Sequence, residues 1–167
     1  MALRSSLTRN LFEVSEPKPM LVAVEAHSLD GRRLRLPSEL EGERNLLAVA
    51  FQRRHQSDVD SWLEQFAELE RGNRDLFTYE VPTISRRWAP VRGFIDGGMA
   101  AAIADPKARA RTLTVYTDVD RVRKGLCLPD TSQIAVVLCD RDGVVEWLVR
   151  GPSTAVAARQ LGVAINR

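Results

Sequence analysis

The sequence predicts a mixed α/β fold, with one central mixed sheet, helices on both faces and a β-hairpin on the N-terminal side. Three observations carry that expectation. The apolar run Leu46–Phe51 lies between polar segments and leads into a helical pattern, as a central strand covered on both faces would. Strand and helix patterns then alternate as far as residue 126. Such alternation calls for crossovers and a largely parallel centre. The chain closes on strand, turn, strand and helix between 133 and 161, which adds an antiparallel edge to a layered α/β arrangement.

Each element follows from local pattern. Glu16-Pro17-Lys18-Pro19 ends an N-terminal arm, since neither proline can donate a backbone hydrogen bond and both favour extended geometry. Met20–Ala26 reads as a strand, Asp30-Gly31 as a turn and Arg32–Leu36 as the alternating hairpin partner. After Leu46–Phe51, the polar stretch Gln52–Gln56 gives way to Ser57 and Asp60, spaced as a capping box with Asp in place of Glu. Val59, Trp62, Leu63, Phe66 and Ala67 form a buried helical stripe, and Gly72 is placed to end the helix in a left-handed cap. Leu76–Ile84 is a second strand whose end Pro82 marks.

Gly97-Gly98 precedes a helical stretch Met99–Ala104, and Asp105-Pro106 starts another turn with Pro at its first position. Thr112–Tyr116 is β-branched and alternating. Asp118–Leu126 is a short helix capped by Asp118. Gln133–Cys139 and Val144–Val149 flank an Asp140–Gly143 turn in which Gly143 supplies positive φ. Gly151-Pro152-Ser153 opens a last helix through Leu161. No repeat or long linker divides the chain. An arm over 1–19 and one domain over 20–167 are expected, and 167 residues suffice for a real core.

Composition narrows the function classes. The chain is 44% hydrophobic and 28% charged, which suits a soluble globular protein. No apolar run is long enough to span a bilayer. The net charge is +2, and the 24 basic residues are interleaved with acidic ones. No basic stripe forms, so nucleic-acid binding is not expected. Arginine outnumbers lysine 21 to 3, a bias that fits a GC-rich bacterial genome. Cys127 and Cys139 are too few for a disulfide framework, and a cytoplasmic setting is expected. The alternative rests on Met1–Phe12: its arginines, its hydroxyls and Leu3, Leu7 and Leu11 at helical spacing resemble an organelle-targeting segment, against the plainer reading of an amphipathic helix or arm.

The strand Leu46–Phe51 running into the helix Val59–Glu70, the strand end Val115-Tyr116-Thr117-Asp118 and the run Ile134–Arg150 together resemble the thioredoxin-like superfamily in its peroxiredoxin-related form, over roughly Leu21 to Leu161. Leu36-Pro37, Leu40-Glu41-Gly42 and Val59-Asp60-Ser61-Trp62 are similar, more narrowly, to the thioredoxin-like family of ATP-synthase assembly factors and its bacterial relatives. The resemblance implies a thiol where the first long helix begins, because unpaired helix N–H groups and the positive dipole end stabilise a thiolate there. This chain has His55-Gln56-Ser57-Asp58-Val59 at that place, without sulfur. It also lacks proline at Ser132-Gln133-Ile134, where the resemblance implies a cis-proline.

The expected function is therefore binding by a redox-inactive thioredoxin-like domain. Its ligand would be a partner protein or a small anion, and the resemblance implies a folding or assembly helper. Strand C-terminal ends and helix N-termini receive anions in α/β folds. Arg53, Arg54, His55 and Gln56 are the candidate ligand residues, with Arg86 and Arg87 approaching the same end of the sheet. The plainer reading is a solvated loop whose arginines pair with Asp58 or Asp60. Trp88, beside Arg86 and Arg87, is a candidate partner contact. The alternative function is a thiol-dependent oxidoreductase or peroxidase using Cys127 or Cys139, against the plainer reading of two structural cysteines. A small-molecule binder unrelated to thiols is the third possibility. No catalytic residue is assigned, no His or Cys pair has metal-ligand spacing, and no cofactor is expected.

Overall fold

The computed structural model describes residues 15–167. The helical or targeting reading of Met1–Phe12 lies outside them, and residues 15–19 form no element. The strands are β1 (Val24–Ser28), β2 (Arg33–Leu36), β3 (Arg44–Ala50), β4 (Leu76–Ser85), β5 (Leu113–Thr117), β6 (Ala135–Asp140) and β7 (Val145–Arg150). The helices are α1 (Gln56–Gly72), α2 (Arg92–Ala102), α3 (Pro106–Arg111), α4 (Val119–Gly125) and α5 (Ala155–Ile165). One seven-stranded sheet has the order β2-β1-β5-β4-β3-β6-β7. Its centre, β5-β4-β3, is parallel, while the β1–β2 hairpin and the β6–β7 hairpin add antiparallel pairs on either side.

Each face of the sheet has its own apolar layer. Leu46, Ala48, Val136 and Leu138 meet Val59, Trp62 and Phe66 of α1 and Ala157, Leu161 and Ile165 of α5. On the other face, Leu47, Val49, Tyr79, Val81, Leu113 and Val115 meet Val122 of α4 and the adjoining Leu126. Alternate residues of β3 thus serve opposite layers, which is why that strand reads as a continuous apolar run. The α2 helix is attached differently. Asp96 accepts from Thr114 Oγ1 at 3.0 Å and from the Tyr116 hydroxyl at 2.7 Å, and Arg92 contacts His27.

Several boundaries differ from the sequence expectation, each for a local reason. The first strand is Val24–Ser28, not Met20–Ala26, because Met20 N bonds to Gly125 O and Leu21 N to Gly143 O. That draws the segment away from the hairpin. A side chain on Gly143, whose φ is +85°, would collide with the Leu21 carbonyl. Pro82 does not end its strand, which continues to Ser85. It pairs with Ala50, the last residue of β3, and pairing with β5 begins one residue later at Thr83. The missing donor thus falls where the strand changes partners.

The capping box at Ser57 and Asp60 does not form. A 3₁₀ turn over Arg53–His55 feeds α1 directly, and His55 is the N-cap. Leu63 and Ala67 are exposed, because α1 buries only a narrow stripe against the sheet. Gly72 does not adopt the left-handed cap. The following residue, Asn73, is extended; its backbone N–H donates to Glu70 O at 3.3 Å and its side-chain Nδ2 to Leu69 O at 2.8 Å. Gly97 and Gly98 lie inside α2 rather than before it. Thr154, not the Gly151–Ser153 segment, caps α5, and α5 runs on to Ile165. The cap at Asp118 is as expected, as is Pro106 at the first position of α3, whose N-cap is Asp105.

Candidate functional site

The parallel strand β3 delivers the chain to the start of α1, and the turn between them is built from its own polar residues. His55 is buried. Its Nδ1 accepts from Phe51 N at 3.2 Å and its Nε2 lies 3.1 Å from Ser132 O. A backbone N–H only donates and a carbonyl only accepts, so Nδ1 is bare and Nε2 carries the hydrogen. The ring is a neutral imidazole with both nitrogens used inside the fold. Gln52 donates to Thr131 O at 3.1 Å, and Arg54 donates to Gln52 Oε1 at 2.5 Å and to Ser132 O at 3.4 Å. Gln52, Arg54 and His55 together clamp the Thr131–Ser132 segment that leads into β6.

The clamp is backed on both sides. Ser132 N donates to Asp130 Oδ1 at 2.9 Å, and the hydrogen bonds from Ser132 hold the Asp130 carboxyl below its ordinary range, with Arg150 adding to the effect. One turn into α1, Trp62 Nε1 donates to Gly151 O at 3.0 Å, and Ser61 Oγ accepts from Ser153 N at 2.9 Å. The helix start is thus tied to the entrance of β6 and the exit of β7.

The candidate ligand residues separate into two groups. Arg54 and His55 belong to the clamp, and Gln56 turns to Asp60, donating at 2.9 Å. His55 is a positioning group here, with no ring nitrogen left for a ligand. Arg53 is exposed at the same turn. Arg86 and Arg87 are exposed beyond the end of β4, where the Arg87 guanidinium carbon lies 5.4 Å from the Trp88 ring centroid. The sequence singled out His55 but missed Gln52 and the Thr131–Ser132 acceptors, since a bond to a carbonyl leaves no residue-type signature. Two surface concavities lie elsewhere. One involves Glu25, Arg33 and Glu39, and the other Trp147, Arg159 and Val163.

Glu80 sits beneath the start of α1. Its neighbours Tyr79 and Val81 serve the α4 layer, so Glu80 faces α1. Burial pushes its carboxyl up and Asp60 adds to the shift, while a hydrogen bond from Gln56 opposes it. A carboxyl raised in the fold keeps a proton that the unfolded chain has already released, so stability falls as pH rises from the ordinary glutamate value through the raised one. Glu80→Gln should therefore raise the melting temperature at neutral pH and change it little in acid. Thermal melts at both pH values check this, and an equal shift at both would contradict it.

Neither thiol lies at the start of α1. Cys139 pairs with Asn45 near the beginning of β3, whereas α1 follows the end of that strand, about 16 Å away along an extended chain. Cys139 is fully buried, and burial, with Asp140 and Glu146 nearby, pushes its thiol up to about 12. Cys127 is exposed just past α4, and its Sγ donates to Pro17 O at 3.3 Å. Both are free. Among the described residues, no group of three or more His, Cys, Asp and Glu side chains is placed to hold a metal ion. No described helix is long and apolar enough to cross a membrane.

Comparison with solved structures decides the fold. A putative electron transfer protein from Aquifex aeolicus superimposes with a TM-score of 0.61 at 11% identity, covering 89% of this chain and 95% of that one. The thioredoxin domain of a thiol-disulfide oxidoreductase from Bacteroides vulgatus gives 0.56 at 15% identity, covering 90% and 98%. The chain has the thioredoxin-like fold. A member of the Sco family of cytochrome c oxidase assembly proteins, described with a disulfide switch, gives 0.57 at 13% identity, covering 89% and 95%. No family model matches the chain, and no curated protein matches it.

Proposed function

We propose that this thioredoxin-like domain works by binding a partner polypeptide or a small anion, without thiol chemistry, as a folding or assembly helper. One observation carries the reading. The turn before α1, where helix N–H groups would sustain a thiolate, holds His55 with both nitrogens committed to the chain itself. Arg53, Arg86 and Arg87 remain exposed at this end of the sheet for a ligand. The helper role draws on the sequence resemblance to ATP-synthase assembly factors. The similar fold of an oxidase assembly protein supports it.

Thiol turnover is the test. The protein should neither reduce insulin disulfides with dithiothreitol as electron donor nor consume peroxide above the rate of the double variant Cys127→Ser/Cys139→Ser. Turnover in the native protein that the double variant loses would overturn the reading in favour of an oxidoreductase or peroxidase.

A further inference from the structure

From Arg86 to Ile95 the chain carries arginines and apolar residues but no acidic group. This stretch forms a 3₁₀ segment, Arg86–Val91, and the first turn of α2, and no residue in either element is buried. Trp88 is 47% exposed, Val91 46% and Phe94 88%. They recur at a spacing of three, so they share one side of a continuous helical segment. Phe94 is far more exposed than any other large apolar side chain in the described chain. The charges that α2 itself carries, Arg92 and Asp96, are engaged with His27, Thr114 and Tyr116. Arg86 and Arg87 have no carboxylate partner among the described ion pairs.

We propose that this face docks on an anionic lipid surface, with Trp88, Val91 and Phe94 entering the interfacial region and Arg86 and Arg87 meeting lipid phosphates. Charge selects this occupant. The exposed guanidinium groups on the apolar side chains' own segment lack carboxylate partners, and a bilayer with acidic headgroups supplies anions beside an apolar layer. Exposure agrees, because Phe94 is 88% exposed, whereas a helical peptide partner seats its anchors in a groove. Trp88 and Arg87, stacked at 5.4 Å, combine the ring and the cation that favour the headgroup level. A second copy of this chain fits less well. It would bring the same Arg86 and Arg87 against one another. The inference rests on the binding half of the proposed function and names the anion as lipid phosphate.

Flotation of the full chain with vesicles tests it. Vesicles of equal parts phosphatidylcholine and phosphatidylglycerol should carry the protein. Vesicles of phosphatidylcholine alone should carry much less, and added salt should release it. Trp88 emission should shift to the blue on binding. Phe94→Ala should weaken binding about tenfold. Arg86→Glu/Arg87→Glu should weaken it by more than about tenfold on the anionic vesicles. Val163→Ala, at an exposed site on α5, should leave binding unchanged. All these side chains are exposed, so unaltered melting curves would confirm that the variants fold. Absence of vesicle binding would overturn the proposal, as would binding indifferent to Phe94 and the arginines. Self-association lost in Phe94→Ala, or capture of an acidic peptide without vesicle binding, would equally replace it with a protein interface. Failure on vesicles leaves the thiol-independent reading standing, and only thiol turnover removes that.

Discussion

Trp62→Ala should remove about 3–5 kcal/mol of folding stability, the usual cost of deleting a fully buried tryptophan. The ring has no exposed surface. Its centroid lies 6.2 Å from that of Phe66 and 6.3 Å from that of Trp147, so one side chain joins α1 to β7. Its indole N–H also satisfies Gly151 O. Trp62→Phe separates the two contributions. It keeps an aromatic ring in the layer but strands that carbonyl, and should cost about 1–3 kcal/mol. Urea unfolding with unchanged m-values measures both losses. Equal stability of the native protein and Trp62→Ala would mean that α1 is not held against the sheet in this way.

His55→Ala is expected to be the next most costly change, at about 2 kcal/mol or more. It leaves Phe51 N–H without its acceptor, while Ser132 O keeps only the longer bond from Arg54, and a stranded donor costs about 1–3 kcal/mol. The loss should be local as well as global. The amide of Phe51 should exchange with solvent much faster, and the Thr131–Ser132 segment should loosen, while α4 and the opposite apolar layer keep their protection. Hydrogen exchange measured residue by residue distinguishes this from a general destabilisation, which would speed exchange in both layers alike.

The sheet was legible in the sequence because burial on both faces writes itself as apolar runs. Leu46–Phe51 and Gln133–Cys139 gave β3 and β6 within two residues at either end. The cap at Asp118 was legible because a short acidic side chain before a helix has one common use. Pro82 misled, since a strand can pass through proline where its partner changes, and that depends on the lengths of β3 and β5 rather than on the local sequence. Gly97 and Gly98 misled in the same way: α2 contains both, although neither is needed for space, and a Cβ at either would meet nothing. At the candidate site, the sequence located the turn and the missing sulfur. It did not show that His55 is turned inward, because its partners are the backbone of Phe51 and of the distant Ser132. Phe94 escaped for a related reason: exposure is set by what packs on α2, and nothing in the apolar spacing says that this side is left open.

The most direct test of the closed turn is nitrogen NMR of the His55 imidazole, read together with the exchange rate of the Phe51 amide. The structure requires a neutral ring with hydrogen on Nε2, a bare Nδ1 and a strongly protected Phe51 N–H. A ring protonated at Nδ1, or one averaging between tautomers above a rapidly exchanging Phe51 amide, would show that the turn is open and that His55 is free to serve a ligand or a reaction.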